Sequence, residues 1–323
     1  MASLPEVTIA PGVRVTRLCI GSLTVSPMQA ALPLDRAAGV LSYAFDRGIT
    51  FVDTAQYYEN YDIIREALRR ARDPERVVLS TKTYAYSREQ AKEALEQARC
   101  ETGRDVIDIF MLHEQESLDT LRGHMEALDY LFECKSRGII KAVGASMHHI
   151  AAVDGVVTLA RRGIALDVIH PIFNKAGIGI ADGTVDGMTR AIGEAHSLGI
   201  GVFAMKSLAG GHLYSSAAEA FDFVLDSPSV DAVAVGMQSE AEVDADISYF
   251  EERKFSEEEL LALSKKHRAL FIEDYCAGCG TCVARCPERA LRIEDGRAAV
   301  DRARCVMCAY CSKVCPLFAI KVI

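Results

Sequence analysis

Twelve residues near the C-terminus carry the most specific pattern in the chain: residues 276–287 read CAGCGTCVARCP. The pattern returns at residues 305–316 as CVMCAYCSKVCP. Each copy spaces its cysteines as C-x2-C-x2-C-x3-C before a proline, and the two copies hold eight of the chain's eleven cysteines. Three thiols at this spacing can reach three corners of one [4Fe-4S] cubane, whereas the fourth thiol of such a run ligates the other cluster. The pattern therefore predicts two [4Fe-4S] clusters.

Each cluster is predicted to take three cysteines from one copy and one from the other. The predicted ligands are Cys276, Cys279, Cys282 and Cys315 for cluster 1, and Cys305, Cys308, Cys311 and Cys286 for cluster 2. Zinc fits two overlapping triplets poorly, because structural zinc sites use separated ligand pairs and close at four ligands. Disulfides are disfavoured because the N-terminus shows no secretory signal. The tail resembles the bacterial two-cluster ferredoxins, which implies electron transfer in a reducing cytoplasm.

The composition narrows the class of protein further. Half of the 323 residues are hydrophobic and a quarter are charged, which is an ordinary globular balance. The net charge of −9 argues against a nucleic-acid partner. No apolar run is long enough to span a bilayer, so we expect no membrane association and a cytoplasmic location.

The residues before the tail repeat one unit, in which a short apolar run precedes a longer amphipathic stretch. The apolar runs lie near residues 15–20, 49–53, 77–81, 106–112, 139–144, 166–170, 200–205 and 231–235. Strands that are apolar throughout are typical of parallel sheets buried on both faces. Eight such units close into a (β/α)8 barrel of the TIM type. An open doubly wound sheet is the alternative, but no G-x-G-x-x-G follows a strand here.

A helix predicted at about 257–271 connects the barrel to the tail. It follows the charged segment EERKF, and Ser256 with Glu259 forms the capping-box pattern at its start. The predicted division is a barrel over residues 1–255, a connecting helix over 256–272 and a small α+β two-cluster ferredoxin-like domain over 273–323.

Polar residues collect where the predicted strands end, which is where barrels of this type place their chemistry. The second strand ends in Asp53, with Tyr58 shortly beyond, the third ends near Lys82, and the fourth ends at His113. Taken singly, each has an ordinary explanation, such as a helix cap, a solvated rim charge or helix packing. Their order on three successive strands predicts that the four side chains converge at the mouth of the barrel.

These residues carry a resemblance to a known family. The segments FVDTAQYYEN (51–60), VVLSTKT (77–83) and DIFMLH (108–113) resemble the aldo-keto reductases, whose active site is an Asp, Tyr, Lys and His tetrad at these places. The resemblance covers roughly residues 5–250, and with the tail the chain resembles the iron–sulfur-bearing branch of that family. It implies reversible hydride transfer between a small carbonyl compound and its alcohol.

The resemblance also implies a role for each member of the tetrad. Tyr58 would be the general acid, which protonates the carbonyl oxygen. Lys82 would lower the pKa of Tyr58, because a nearby ammonium favours the phenolate. Asp53 would hold Lys82 charged and in place. His113 would orient the carbonyl and stabilise its developing negative charge.

The resemblance further implies a nicotinamide site, for NADP(H) or NAD(H). The implied cofactor-binding residues are Ser146, His170, Asn174, Met205, Lys206, Ser207, Leu208, Gly210, Gly236, Met237, Gln238 and Glu242. Met205 stands where the family stacks an aromatic ring, and Glu242 stands near the place of an arginine that would bind a 2′-phosphate, a role that needs a cation. Gly210 and Gly211 fit a phosphate-binding loop after the seventh strand.

Two interpretations of the electron supply therefore stay open. In the first, this branch binds a nicotinamide through backbone groups and other side chains. In the second, the clusters and not a nicotinamide deliver electrons to a redox partner protein or to a substrate in the barrel. No flavin-binding motif is apparent. A third interpretation is that the clusters only stabilise the tail, as metal sites can.

Overall fold

The structure is a computed structural model that describes residues 4–264, 269–305 and 310–322. An antiparallel hairpin comes first, formed by β1 (Glu6–Ala10) and β2 (Val13–Thr16). The eight strands that follow are β3 (Leu18–Gly21), β4 (Phe51–Asp53), β5 (Val78–Thr83), β6 (Ile107–Gln115), β7 (Ile140–Met147), β8 (Val168–Pro171), β9 (Gly201–Met205) and β10 (Ala232–Gly236). They are parallel and close into one barrel, with β10 paired to β3. The predicted (β/α)8 barrel is confirmed.

Helices surround this barrel. They are α1 (Leu34–Asp46), α2 (Tyr61–Arg70), α3 (Arg88–Thr102), α4 (Leu118–Gly123), α5 (Met125–Ser136), α6 (Ile150–Arg161), α7 (Val185–Ser197), α8 (Ala217–Leu225), α9 (Glu240–Glu252) and α10 (Glu257–Ser264). The largest hydrophobic cluster lies between the strands and these helices. Among the described residues, no helix has the length and apolar character needed to cross a membrane.

A second hydrophobic cluster fills the interior of the barrel and continues into the hairpin. Phe51 and Phe203 pack there with ring centroids 5.1 Å apart. The hairpin closes the end of the barrel opposite the mouth. A Cβ atom at Gly201 would lie 1.8 Å from the carbonyl oxygen of Ile9, so only glycine allows the hairpin to approach this closely.

The tail forms a small α+β unit. Its elements are β11 (Leu270–Ile272), α11 (Thr281–Arg285), β12 (Leu291–Glu294), β13 (Arg297–Val300), α12 (Tyr310–Lys313) and β14 (Ile320–Val322). Strands β11 and β14 pair antiparallel, as do β12 and β13. Its own hydrophobic cluster consists of Leu270, Leu291, Ala298, Ile320, Val322, Cys282 and Cys311.

One element differs from the expectation. The capping box at Ser256 and Glu259 forms as predicted, with both of its hydrogen bonds present. However, Leu270–Ile272 is strand and not the end of a helix. Pairing with β14 buries Leu270 in the tail's hydrophobic cluster, a gain that a continued helix would forgo.

The tail stands over the mouth of the barrel. The ring of His212, in the loop after β9, contacts the Ser312 hydroxyl and lies 3.1 Å from the carbonyl oxygen of Ile320. In the loop after β3, the Gln29 side-chain amide donates to Glu273 at 3.4 Å. The C-terminal ends of the barrel strands therefore face the cluster-bearing tail instead of open solvent.

Candidate active site

Asp53 and Lys82 form a buried ion pair at the ends of two neighbouring strands. Lys82 Nζ donates to both Asp53 carboxylate oxygens, at 2.8 and 2.7 Å, and to the Thr54 carbonyl at 2.6 Å. The Lys82 side chain is 1% exposed. The parallel register of β4 and β5 sets Asp53 opposite Ser80, whose hydroxyl also donates to this carboxylate at 3.0 Å. All three donors of the ammonium are thus used within the protein.

Tyr58 lies on a single turn of 3-10 helix, Gln56–Tyr58, that follows β4. Its ring centroid lies 5.1 Å from Lys82 Nζ and 5.6 Å from the centroid of the His113 ring. Asn60 anchors the far side of this turn by accepting from Thr54 at 2.7 Å and donating to Ser22. The structure therefore brings Asp53, Tyr58, Lys82 and His113 together, and we call these four residues the strand-end site.

The pKa of Tyr58 does not follow the expectation. Burial raises the Tyr58 pKa well above its usual value, and the negative charge of Asp53 adds to the rise. Because Lys82 directs its three N–H groups at Asp53 and Thr54, its ammonium does not donate to the phenol. The net shift of the Tyr58 pKa is therefore upward, opposite to the expected net lowering, and Tyr58 is in its neutral form.

His113 is also held neutral. Burial lowers the His113 pKa well below its usual value, and the charge of Lys82 lowers it further. Its Nδ1 is buried and has no hydrogen-bond partner among the described residues. The Tyr84 ring stacks on His113 with centroids 4.5 Å apart. A buried imidazole with an unused nitrogen is suited to a ligand that supplies the missing hydrogen bond.

His170 contacts the strand-end site, whereas the family resemblance implies that it contacts a nicotinamide. Its Nε2 lies 3.6 Å from Asp53 Oδ2, and its Nδ1 lies 2.6 Å from the Phe203 carbonyl oxygen. Burial raises the pKa of Asp53, but Lys82 and His170 outweigh this effect and hold the Asp53 pKa well below its usual value. Sequence reasoning missed this contact because His170 comes from β8, more than a hundred residues after Asp53.

A cavity of about 610 Å³ opens above Tyr58 and His113, and we call it the mouth cavity. Its walls come from both parts of the chain. The barrel contributes Tyr57, Tyr58, Tyr84, His113 and Lys206, and the tail contributes Glu273, Tyr275, Cys315, Phe318 and Lys321, among others. No local sequence signal shows that tail residues line a cavity with barrel residues far away in the chain. The one unusual feature of the tail sequence is Lys321, a single lysine within the apolar run AIKVI.

A smaller cavity of about 140 Å³ lies beside Tyr58 along the loops after β9 and β10, and we call it the loop cleft. Nine of the predicted cofactor-binding residues line it: His170, Met205, Lys206, Ser207, Leu208, Gly210, Gly236, Gln238 and Glu242. Asp53 and Tyr58 line it as well. The position of the loop cleft therefore fits a nicotinamide ring adjacent to Tyr58.

The loop cleft is small for a complete dinucleotide. Pockets that bury a drug-sized ligand measure roughly 300 Å³ or more, and a dinucleotide is larger still. The tail strand β14 supplies Lys321 and Val322 to the wall of the loop cleft. A Cβ atom at Gly211 would lie 2.1 Å from the Val322 carbonyl oxygen, so this glycine serves the close approach of β14. The loop cleft by itself is thus smaller than such a pocket, although it shares walls with the mouth cavity at Tyr58, Lys206 and Lys321.

Three predicted cofactor-binding residues do not line either cavity. The Ser146 hydroxyl accepts from the Glu114 amide at 2.9 Å. Asn174 donates to the Ile178 carbonyl at 2.9 Å and accepts from the Ile178 amide at 3.1 Å, so its side chain closes its own loop. Met237 is fully buried. These side chains are engaged within the barrel in this structure.

The predicted cluster 1 ligands surround one cavity in the tail. Cys276, Cys279, Cys282 and Cys315 line a volume of about 160 Å³ whose other walls are glycine, proline and aliphatic residues. Backbone amides donate to two of the sulfurs, from Ala298 to Cys276 at 3.5 Å and from Ala319 to Cys315 at 3.2 Å. Four thiols around an apolar volume, with amide donors to sulfur, fit a [4Fe-4S] cluster and its usual tuning contacts.

The ligand set of cluster 2 is only partly described. Cys308 lies outside the described residues, whereas Cys286, Cys305 and Cys311 lie within them. The Ala290 amide donates to Cys286 Sγ at 3.3 Å, which matches the contacts seen at cluster 1. The cross-ligation of Cys286 therefore stays a prediction.

Comparison with known proteins identifies the class to which this barrel and its site belong. Residues 17–219 match the aldo/keto reductase family, and residues 268–316 match the 4Fe-4S dicluster domain. The chain therefore belongs to the aldo/keto reductase family and carries a 4Fe-4S dicluster domain at its C-terminal side. The first match covers most of the barrel, and the second covers the tail with both cysteine runs.

Individual relatives match the two parts separately. A ferredoxin of Pyrobaculum islandicum is 39% identical over 59 residues, which cover 18% of this chain and 55% of that protein. A D-threo-aldose 1-dehydrogenase of a Pseudomonas species is 24% identical over 201 residues, which cover 52% of this chain and 60% of that protein. The chain thus spans less than two thirds of each of these relatives. An aldo-keto reductase structure from Bacillus halodurans aligns with a TM-score of 0.65 at 18% identity, covering 81% of this chain and 96% of that one, and shows the shared fold.

Proposed function

We propose that this protein is an aldo-keto reductase-type oxidoreductase that interconverts a small carbonyl compound and its alcohol, with Tyr58 as the general acid and base. The observation that carries the proposal is the mouth cavity. Tyr58 and His113 both line it, and the Asp53–Lys82 pair lies directly behind them. A substrate carbonyl in this cavity meets a phenol and a neutral imidazole together.

The residues of the strand-end site have different roles in the proposed reaction. Tyr58 stays protonated because burial raises its pKa, so it can deliver a proton to the carbonyl oxygen. The Lys82 ammonium, 5.1 Å from the Tyr58 ring, stabilises the negative charge that appears on the phenol as the proton leaves. His113 offers an N–H to the same oxygen and so fixes the orientation of the carbonyl. A nicotinamide bound in the loop cleft would supply the hydride.

A second candidate function is favoured by the size of the loop cleft and by Cys315. In this alternative the clusters, and not a nicotinamide, deliver electrons to a substrate in the mouth cavity or to a partner protein. Cys315 is a predicted ligand of cluster 1 and also lines the mouth cavity. A cluster transfers one electron at a time, whereas carbonyl reduction needs two, so both clusters would take part.

Replacement of Tyr58 by phenylalanine tests the proposed acid. The holoprotein is purified without oxygen and assayed against a panel of aldehydes and ketones with NADH, with NADPH and with chemically reduced clusters. Loss of the phenol should lower kcat by roughly 100- to 10,000-fold. Tyr57→Phe is the matched control, because Tyr57 lines the same cavity but is exposed, and we expect a change of only a few-fold. Turnover of Tyr58→Phe within a few-fold of the parent enzyme would remove Tyr58 from its role.

The two electron sources are separated by an anaerobic titration. NADH or NADPH that bleaches the cluster absorbance would connect nicotinamide and clusters. Carbonyl turnover with NADH or NADPH while the clusters stay unchanged supports a nicotinamide alone. Turnover that requires reduced clusters and ignores both nicotinamides supports the second candidate.

A further inference from the structure

Two lysine side chains from different parts of the chain meet between the mouth cavity and the loop cleft. Lys206 directly follows β9 of the barrel, and Lys321 lies in β14 of the tail. Both residues line the mouth cavity, and both also line the loop cleft. The junction of the two cavities thus carries two ammonium groups, one from each domain.

Both ammonium groups lie over the ring of Phe318. Lys206 Nζ is 5.3 Å from the ring centroid and Lys321 Nζ is 3.3 Å from it. Lys321 is 2% exposed, and its ammonium donates to the Phe318 carbonyl oxygen. Within residues 4–264, 269–305 and 310–322, no ion pair joins either lysine to a carboxylate. Lys206 has no hydrogen-bond acceptor for its ammonium within the same residues.

The carboxylates near the two lysines are engaged elsewhere. Glu273 accepts from Gln29, Glu114 accepts from the Tyr84 hydroxyl, and Asp53 is paired with Lys82. Burial lowers the pKa of both lysines, most strongly for Lys321, where the charge of Lys206 adds to the effect. Protonation of both amines in a partly buried site is unfavourable when no carboxylate lies within ion-pair distance, and a bound anion would favour the doubly protonated form.

The backbone at Lys206 supports a functional reason for this arrangement. Lys206 has a φ of +60°, in the left-handed region that non-glycine residues rarely occupy. The Ala209 amide holds the turn closed by donating to the Lys206 carbonyl at 2.7 Å. Strained positions of this kind concentrate at active sites and ligand sites.

We propose that Lys206 and Lys321 together bind one anionic group, a carboxylate or a phosphate, at the junction of the mouth cavity and the loop cleft. The inference rests on the proposed function, because the anion belongs either to the carbonyl substrate or to the pyrophosphate of a dinucleotide. The site is complete only when the tail is docked, since one of its two cations comes from β14. It makes the cluster-bearing tail part of the binding site of the barrel.

The test measures binding by calorimetry to the anaerobic holoprotein, with no turnover required. The probes are inorganic phosphate, phenylglyoxylate, the neutral methyl ester of phenylglyoxylate, and NADH. We expect Lys206→Met and Lys321→Met each to weaken binding of phosphate and phenylglyoxylate, or of NADH, by about tenfold or more, which is the loss of one hydrogen bond to a charged group. Binding of the ester should be unchanged. Lys321→Arg should restore part of the affinity, because it keeps the charge.

The probes also identify the source of the anion. Weaker binding of phosphate and phenylglyoxylate with NADH unaffected assigns the site to a substrate group. Weaker binding of NADH alone assigns it to the dinucleotide. Lys313→Met is the matched control, because Lys313 also lines the mouth cavity but is exposed, and it should change each affinity by less than about twofold.

Two outcomes would overturn the inference. The first is that none of the anionic probes binds more tightly to the parent protein than to the methionine variants. The second is that only the cluster midpoint potential shifts in the variants while every affinity stays the same, which would make the lysines counter-charges of cluster 1. Repeating the measurement in Tyr58→Phe keeps this test separate from the proposed function, because binding should persist where turnover is lost.

Discussion

The strand-end site of the barrel and the cysteine cavity of the tail differ in how much of each site the protein assembles by itself. In the barrel, Lys82 and Asp53 satisfy each other through short hydrogen bonds, and β4 and β5 hold them in register. In the tail, four thiols surround an apolar cavity of about 160 Å³, and their sulfurs contact two backbone amides and the Thr281 hydroxyl. The first site is organised by the sheet, whereas the second needs the group it binds to complete its interactions.

Removal of a ligand of cluster 1 should have the largest effect on the structure. It should affect the tail and spare the barrel. Cys282→Ala should lower the iron and sulfide content by about half and unfold much of the tail, because metal binding contributes directly to folding of a small domain. The barrel should keep its circular dichroism, since it has its own hydrophobic core. Cys134→Ala, in the barrel core, is the control and should leave the iron content unchanged. Full iron content in Cys282→Ala would contradict the assignment.

The ion pair of the strand-end site gives the next largest effect. Asp53→Asn should destabilise the barrel by about 3–5 kcal/mol, because it leaves the Lys82 ammonium buried without its counter-charge. Ser80→Ala removes only one hydrogen bond to the same carboxylate and should cost about 1 kcal/mol. Urea unfolding followed by circular dichroism measures both. Equal losses in the two variants would show that the charge of Asp53 is not needed to hold Lys82.

A smaller effect is expected where the two regions touch. Gly211 and Gly199 both have positive φ, but only at Gly211 would a Cβ meet the tail, at the Val322 carbonyl oxygen. Gly199→Ala should cost about 1 kcal/mol through backbone strain alone. Gly211→Ala should cost more and should speed hydrogen exchange in β14. Equal costs, with no change in exchange, would mean that docking of the tail does not depend on this contact.

The smallest expected effect is that of pH on the rate of carbonyl reduction. Because burial raises the pKa of Tyr58 and lowers the pKa of His113, neither group changes charge near neutral pH. The two pKa shifts have opposite directions but the same consequence: Tyr58 stays protonated below its raised pKa, and His113 stays neutral above its lowered pKa. The rate of carbonyl reduction on a neutral substrate should therefore be flat between about pH 6 and 9. A fall in rate on the alkaline side of this window would instead indicate that the Tyr58 pKa is lowered, as the sequence analysis expects.

Local patterns were enough to predict much of the molecule. The cysteine spacing indicates the dicluster tail, because ligands three residues apart on one short segment reach one cubane whatever surrounds them. The alternation of apolar runs and amphipathic stretches indicates the barrel, and its strand ends bring Asp53, Lys82 and His113 to one face. The helix expected to reach residue 271 is the main error of secondary structure, since the pairing of Leu270 with Val322 has no local signature.

The chemistry inside the cavities depended on contacts between distant segments. Ser146 and Asn174 carry the residue types of a cofactor site, but the Ser146 hydroxyl accepts from the amide of Glu114 on the neighbouring strand, and Asn174 bonds within its own loop. The upward shift of the Tyr58 pKa follows from burial and from the negative charge of Asp53. The placing of Lys321 beside Lys206 requires β14 to dock on the loop after β9. Spacing along the chain governs what neighbouring residues can bind, whereas burial and charge balance depend on how distant segments pack together, including the tail over the mouth of the barrel.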